Sequence, residues 1–302
     1  MQIFKHQCTN NEVYGEFVKH LHIDLSSVDH FKKIPFLPIS FFKTHEVIIK
    51  NLKAETVFYS SGTTKTNLSQ HHVADLAIYD QSLLSGFELA FGPLSDYAIF
   101  ALLPSYHENK NASLLYMVDQ LQKASGNQGG FFLNNYSELL TEINKARSSK
   151  KVMLIGVSYA LLDLADAFSP DLGDITILET GGMKGRRKEM IKAELHAYLK
   201  EKFKARAMGS EYGMTELLSQ AWSKGDGLFT CPPWMKVLTR EYNDPLNLIE
   251  NKTGGINVID LANIHSCSFI ATQDLGIVSG NQFEIAGRFD NADLRGCNLL
   301  VG

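Results

Sequence analysis

The sequence predicts an α/β fold in which a mostly parallel, covered sheet is followed by a small antiparallel β subdomain. Over most of its 302 residues the chain alternates buried apolar strands with amphipathic helices, which is typical of a sheet covered by helices. Near the carboxyl end, short strands are separated only by Gly, Asp and Asn, which favours antiparallel pairing. No repeat of fixed period appears, so solenoids and propellers are excluded.

The individual elements follow from the spacing of apolar residues. Helices are predicted where these recur every three or four residues, over 11–21, 69–91, 113–124, 159–167 and 188–203. Strands are predicted over 47–59, 97–103, 151–157 and 175–178, and then over 256–260, 268–272, 277–279 and 283–286. Two prolines in 34–42 exclude a regular helix there, so we interpret that stretch as an extended docking segment.

No linker separates the two parts, and we place their border near residue 230. This gives an α/β core with the amino-terminal docking segment over 1–230, and an antiparallel β subdomain with a carboxyl-terminal tail over 231–302. With 44% hydrophobic and 21% charged residues, the chain has the composition of a globular protein and not of a disordered or fibrous one.

Charge and apolar runs exclude several classes of partner. The net charge is -4, so no basic excess is present to bind a nucleic acid. The longest uncharged apolar stretch, 97–106, is shorter than the roughly 20 residues that cross a bilayer, so no membrane span is predicted.

The amino terminus lacks the pattern of a signal peptide, and we expect a cytoplasmic protein. The four cysteines form no C-x-x-C pair and are predicted to be free thiols.

A hydroxyl-rich loop is the first candidate site. Residues 60–66 read Ser-Ser-Gly-Thr-Thr-Lys-Thr, between a predicted strand and a predicted helix. Such a loop can wrap a polyphosphate with backbone N–H groups and hydroxyls, and Lys65 adds positive charge. The spacing of a Walker A motif is absent, and a hydroxyl-rich loop by itself is more often a surface turn.

Four further segments suit a nucleotide. The turn Gly181-Gly182-Met183 follows a buried strand, where backbone without Cβ atoms can lie against a base, although an ordinary turn has the same pattern. Residues 208–216 present an aromatic ring, a hydroxyl and a carboxylate in succession. Asp274 follows a predicted strand, where it could accept ribose hydroxyls. The last segment, 287–297, contains Arg288 and Cys297.

In this order, the five segments resemble the motifs of the adenylate-forming superfamily of acyl-CoA synthetases, peptide-synthetase adenylation domains and luciferases. The likeness runs from about residue 34 to the carboxyl end. More closely, the chain resembles the LuxE-type acyl-protein synthetases of bioluminescence fatty acid reductase, which are related to phenylacetate-CoA ligase. The resemblance implies the large-domain fold of adenylate-forming enzymes, without the usual carboxyl-terminal lysine domain, which would begin near residue 290.

The resemblance also implies ATP and Mg²⁺ as cofactors. It assigns the β- and γ-phosphates to the loop residues Ser60, Ser61, Gly62, Thr63, Thr64 and Lys65, and the border of adenine to Gly181, Gly182 and Met183. In the next motif, Tyr212 would stack on the base beside Gly213, Thr215 would contact the α-phosphate and Glu216 would hold magnesium. Asp274 would bind the ribose hydroxyls, and Arg288 the ribose or the phosphates. His107 would lie beside the substrate carboxylate, although an isolated histidine is at least as often structural.

The activity implied is that of an acid–thiol ligase and acyltransferase, which adenylates a fatty or aryl carboxylic acid to acyl-AMP and transfers the acyl group to a thiolate. Cys297, in Arg-Gly-Cys-Asn, matches the acyl-accepting cysteine of the LuxE type, and the partner implied is an acyl-CoA-reductase-like protein. The other interpretation of Cys297 is a small apolar residue packed in the tail. Two other functions stay open: a carboxylate–CoA ligase of the phenylacetate type, and a module that binds ATP or an acyl group without turnover.

Overall fold

The computed structural model describes residues 1–60, 68–103, 110–181, 187 and 190–289, which divide into two compact units. The first unit consists of Met1–Leu76, Glu216–Leu218 and Cys231–Gly302. The second consists of Ala77–Thr215 and Ser219–Thr230. In the described part of the chain, no helix has the length and apolar character needed to cross a membrane.

The elements are numbered in chain order. The helices are α1 (Gln2–Asn10), α2 (Glu12–His20), α3 (Leu76–Phe91), α4 (Ser113–Ala124), α5 (Tyr136–Ala146), α6 (Ser158–Phe168) and α7 (Lys192–Lys202). The strands are β1 (Leu37–Pro38), β2 (Thr56–Tyr59), β3 (Gln70–Val73), β4 (Tyr97–Leu102), β5 (Gly129–Phe131), β6 (Lys151–Val157), β7 (Thr176–Thr180), β8 (Gly209–Tyr212), β9 (Ala221–Ser223), β10 (Phe229–Thr230), β11 (Met235–Arg240), β12 (Leu248–Ile249), β13 (Gly254–Asp260), β14 (Phe269–Ser279) and β15 (Gln282–Arg288).

The second unit is built on a parallel sheet with the strand order β5-β4-β6-β7-β8. Strands β9 and β10 extend it in antiparallel pairing. All residues of β4, and all residues of β6 except Lys151, are buried, as expected for parallel strands that are covered on both faces. The carboxyl ends of β7 and β8 are neighbours, because Glu179 pairs with Ser210. The residues that follow these two strands therefore share one edge of the sheet.

The first unit contains an antiparallel sheet with the strand order β12-β11-β13-β14-β15. Strand β1 pairs in parallel with β14, and β2 and β3 form a separate hairpin. The fold class predicted from the sequence, a mostly parallel sheet with helices and a smaller antiparallel β part, is confirmed. The predicted border assigned residues 1–76 to the same part as 77–230, whereas Met1–Leu76 groups with the residues after Thr230, because β1 is hydrogen-bonded to β14.

Several predicted elements have other bounds. Helix α4 and strand β6 occupy the predicted residues, but the helix predicted over 69–91 begins only at Leu76. The first part of the segment 69–91 is instead strand β3. Pairing with β2 gives β3 an extended backbone, which the spacing of its apolar residues does not indicate. The strand predicted over 47–59 is limited to β2, and the docking segment 34–42 forms β1 and the start of a short 3-10 helix, Ile39–Lys43.

Gln7 hydrogen-bonds α1 to the connection between β13 and β14. Its side chain is fully buried. The Nε2 group donates to the carbonyl oxygen of Asn263 at 2.9 Å, and Oε1 accepts the backbone N–H of Ser268 at 3.0 Å. These bonds satisfy backbone groups that lie away from water. A single side-chain amide therefore hydrogen-bonds the amino-terminal helix to the connection between β13 and β14.

We expect Gln7→Leu to lower the free energy of unfolding by about 2–4 kcal/mol, because buried backbone donors and acceptors lose their partners. The exposed Gln2 on the same helix provides the matched control, and Gln2→Leu should stay within about 0.5 kcal/mol of the wild type. Urea unfolding followed by circular dichroism measures both. Equal effects of the two substitutions would contradict the anchoring role.

Candidate functional site

A buried carboxylate lies near the carboxyl end of β7 in the second unit. Glu179 is only 1% exposed. The hydroxyl of Ser158 donates to Oε1 at 2.6 Å, and the hydroxyl of Ser210 donates to Oε2 at 3.2 Å. Lys192 Nζ lies 3.1 Å from Oε2, and His196 Nε2 lies 3.7 Å from the same oxygen. Both carboxylate oxygens therefore have polar partners.

These partners keep Glu179 ionised. Burial alone would raise the pKa of this carboxyl, but the contact with His196, the positive charge of Lys192 and the hydroxyl of Ser158 outweigh burial and lower the pKa to about 2. Lys192 and His196 are four residues apart on α7 and so lie on one face of the helix. Ser158 is the first residue of α6. Glu179 thus joins two helices to the edge of the parallel sheet.

A second buried carboxyl, that of Glu211, lies on the neighbouring strand β8. The hydroxyl of Thr180, the last residue of β7, donates to its Oε2 at 2.6 Å. The pKa of Glu211 is raised to about 7, and burial is the largest cause. The charge of Glu179 also raises this pKa, whereas the hydrogen bond from Thr180 and the charge of Lys192 lower it. The two carboxyls differ because the short-range cationic contacts are made to Glu179.

A glycine stands directly after β7 and another directly after β8, each for its own reason. Gly181 has a φ of +68°, a conformation that favours glycine. At Gly213 a Cβ atom would lie 2.1 Å from Oε1 of Glu211, so the carboxyl leaves no room for a side chain there. The predicted adenine-border residue Gly181 and the predicted base-stacking pair Tyr212–Gly213 are thus brought to the same sheet edge.

Phe229 lies between Tyr212 and the charged Lys192 and contacts both. Its ring packs edge-on against Phe229, with 5.8 Å between the ring centroids. The ammonium of Lys192 lies 5.1 Å from the centroid of the same Phe229 ring, a distance typical of a cation–π contact. Thr215, the last predicted residue in this unit, is half-buried. Lys192 therefore links the ionised Glu179 to the ring that packs on Tyr212.

The first unit holds the other predicted residues that the structure describes. Asp274 and Arg288 face each other across β14 and β15, with 3.3 Å between Arg288 Nε and Asp274 Oδ1. The Arg288 side chain is 68% exposed, whereas that of Asp274 is only 13% exposed. Glu216 is buried, and its carbonyl oxygen accepts a hydrogen bond from Asn263 at 2.8 Å.

Glu216 is the residue predicted to hold magnesium. Burial raises the pKa of its carboxyl, although a hydrogen bond from Ser69 and the charge of Arg288 act in the opposite direction. Among the described residues, no group of three or more His, Cys, Asp or Glu side chains could hold a metal ion. Proteins commonly bind Mg²⁺ through one or two carboxylates together with substrate phosphates. A buried carboxyl whose charged form is only partly compensated by its neighbours fits a magnesium ion of that kind.

The hydroxyl-rich loop begins at Ser60, whose backbone N–H donates to the carbonyl oxygen of Ser69 and whose Oγ accepts the N–H of Ser69 at 3.0 Å. Strand β3 follows the loop, so the loop connects two hairpin strands and not, as predicted, a strand and a helix. The other predicted residues lie outside the described residues, and their roles stay predictions: Ser61, Gly62, Thr63, Thr64, Lys65, His107, Gly182, Met183 and Cys297.

Sequence reasoning missed the buried polar group around Glu179. The available signal was a charged residue inside the otherwise uncharged strand Thr-Ile-Leu-Glu-Thr, beside the glycine turn. Glu211 likewise precedes the predicted Tyr212 directly. Lys192 and His196 carry no motif, because they are recognisable only by their place on the face of α7 that meets Glu179.

Three of the four cysteines are described, and each is a free thiol, as predicted. Burial raises the pKa of Cys8, Cys231 and Cys267 to about 12 in each case. Because the thiolate is the nucleophilic form, the raised pKa disfavours reaction of these three side chains at neutral pH.

No family model and no curated protein matches the chain, but solved structures do. ATP-bound MatB from Rhodopseudomonas palustris matches with a TM-score of 0.59 and 14% identity, over 77% of this chain and 47% of that one. The AMP complex of o-succinylbenzoate coenzyme A synthetase (MenE) from Bacillus subtilis matches with a TM-score of 0.55 and 18% identity, over 79% and 50% of the two chains. The chain thus spans about half the length of these two proteins.

A third match covers more of both chains. An open conformation of 2-hydroxyisobutyryl-CoA ligase, in complex with 2-HIB-AMP and CoA, has a TM-score of 0.69 and 10% identity. It covers 96% of this chain and 68% of the other. At such low identity the likeness concerns the fold, and the chain has the fold of the adenylate-forming enzymes, as the sequence predicts.

Proposed function

We propose that this chain is an ATP-dependent acid–thiol ligase of the LuxE type, which adenylates a fatty or aryl carboxylic acid and transfers the acyl group to a cysteine. One observation carries the proposal. The turns that contain Gly181 and Tyr212–Gly213 lie at the carboxyl edge of a parallel sheet, where open α/β folds bind ligands. They do so in the fold of enzymes whose structures contain ATP, AMP or an acyl-AMP.

In the first step, a carboxylate oxygen of the acid attacks the α-phosphorus of ATP. The bond from that phosphorus to the bridging oxygen breaks, and pyrophosphate leaves. Tyr212 would hold the base, and Thr215 would contact the α-phosphate. Glu216 would hold Mg²⁺, which supplies positive charge to the phosphates, and Lys65 would add to that charge. Positioning of the two reactants supplies much of the remaining rate acceleration, on the order of 7–11 kcal/mol in favourable geometries.

In the second step, a thiolate attacks the acyl carbon, a carbon–sulfur bond forms, and AMP leaves with the carboxyl oxygen. The burial that raises the pKa of Cys8, Cys231 and Cys267 makes them poor acceptors. Cys297 is the fourth cysteine, and the nearby Arg295 would favour its thiolate. The acyl group would pass from Cys297 to a protein that resembles an acyl-CoA reductase.

A carboxylate–CoA ligase is the second candidate. The observation in its favour is that the most extensive structural match reported above contains CoA. In that case CoA would be the acceptor, and Cys297 would not be required. A chain that binds ATP or an acyl group without turnover is the third candidate.

We expect incubation with ATP, Mg²⁺ and the matching acid to add the mass of that acid, minus one water, to the intact protein. The adduct should disappear in Cys297→Ser and persist in Cys231→Ser, because the raised pKa of Cys231 leaves little thiolate at neutral pH. Intact-protein mass spectrometry with a panel of fatty and aryl acids measures this and identifies the acid.

The other outcomes separate the candidates. Release of pyrophosphate with no protein adduct, and formation of acyl-CoA when CoA is added, would replace the proposed acceptor by CoA. ATP binding without pyrophosphate release, with every acid of the panel, would support the module without turnover.

Asp274→Asn should weaken ATP binding about 10- to 100-fold, because the loss of a charged hydrogen-bond acceptor for ribose costs about 1.5–3 kcal/mol. Isothermal titration with ATP and with 2′-deoxy-ATP tests the role directly. The wild type should prefer ATP, and the variant should bind the two nucleotides about equally. Glu284→Gln, at an exposed position of the neighbouring strand β15, is the control and should retain the preference. Preserved discrimination in Asp274→Asn would rule out the ribose contact.

A further inference from the structure

Glu211 is a buried carboxyl that the steps above do not use, although it contacts the last residue of β7 and the turn after β8 in the second unit. Its Oε2 accepts the hydroxyl of Thr180, the residue before the Gly181 turn, at 2.6 Å. Its Oε1 occupies the space beside Gly213, where a Cβ atom would come within 2.1 Å. One side chain therefore contacts the end of β7 through one oxygen and the turn after β8 through the other.

We propose that Glu211 is a positioning residue for the nucleotide, and that its ionised carboxylate holds the end of β7, directly before Gly181, and the Tyr212–Gly213 turn in the arrangement that binds ATP. This inference rests on the proposed use of ATP. A hydrogen bond to a carboxylate is roughly twice as strong as one to a neutral carboxyl. Protonation also adds an O–H donor to this buried carboxyl, and a buried donor needs an acceptor.

The groups that face Glu211 determine the pKa of its carboxyl. Thr180 and Glu179 approach from β7, and Lys192 contributes its charge from α7. From α3, the buried Tyr79 interacts with Glu211: burial raises the pKa of this phenol well above its usual value, and the charge of Glu211 raises it further. Because burial raises the pKa of Glu211 to about 7, the carboxyl gains and loses its charge within the physiological range.

The expected consequence is a pH-dependent affinity for ATP. The ionised fraction of Glu211 rises with pH, so the binding-competent fraction rises too, and ATP should bind up to about tenfold more weakly at pH 6 than at pH 8. Glu211→Gln keeps the shape and an acceptor oxygen but cannot ionise. It should bind ATP at both pH values about as weakly as the wild type does at pH 6.

Isothermal titration with Mg-ATP at pH 6, 7 and 8 provides the measurement, after thermal melting has shown that each variant is folded. The difference between the wild type and Glu211→Gln cancels the titration of the phosphates of ATP itself. Glu194→Gln, at an exposed position on α7, is the matched control and should follow the wild type. Thr180→Val is the second variant. It removes the hydroxyl through which Glu211 holds β7 and which lowers the pKa of Glu211. Thr180→Val should therefore bind ATP more weakly than the wild type, and its pH response should move to higher pH.

An identical pH response of the wild type and Glu211→Gln, with measurable ATP binding in both, would overturn the positioning role and leave the proposed function intact. If Glu211→Gln does not fold, an unchanged pH response in Thr180→Val has the same meaning. Absence of ATP binding at every pH would overturn both the proposed function and this inference.

Discussion

A buried carboxylate stays ionised only when charged or hydrogen-bonding groups surround it, and in the second unit this carboxylate is Glu179. Removal of one partner from such a group leaves an uncompensated charge away from water, at a cost of about 3–5 kcal/mol. The ends of β7 and β8 and the amino-terminal residues of α6 and α7 must therefore meet where Ser158, Lys192, His196 and Ser210 can reach the two oxygens. The position of the Gly181 turn follows from that meeting, because the turn begins two residues later.

Lys192 contacts both the ionised carboxylate and the aromatic ring beside Tyr212. Lys192 is paired with Glu179 and lies over the ring of Phe229, which packs on Tyr212. Glu211 receives only the longer-range influence of this charge, and the pKa values of the two carboxyls are driven in opposite directions. One sheet edge thus contains an ionised carboxylate, Glu179, and a second carboxyl, Glu211, that contacts the end of β7 and the turn after β8.

Much of the fold could be predicted because its elements carry local patterns. The seven-residue strand β6 and the twelve-residue helix α4 were predicted with their observed bounds, since a continuous apolar run and a period of three to four residues are plain in the sequence. Strand β3 was missed because its conformation depends on pairing with β2, which lies ten or more residues earlier. The partners of Glu179 were missed for the same reason: Ser158 and Ser210 lie 21 and 31 residues away in the chain.

In the first step of the proposed reaction, this chain joins a carboxylic acid to AMP. Exchange of labelled pyrophosphate into ATP isolates that step, because the exchange requires only its reversal and needs neither an acyl acceptor nor Cys297. We expect exchange that depends on a fatty or aryl acid, that is equal in the wild type and Cys297→Ser, and that falls in Asp274→Asn. Tight ATP binding with no exchange, for any acid in a broad panel, would show that the chain does not adenylate an acid.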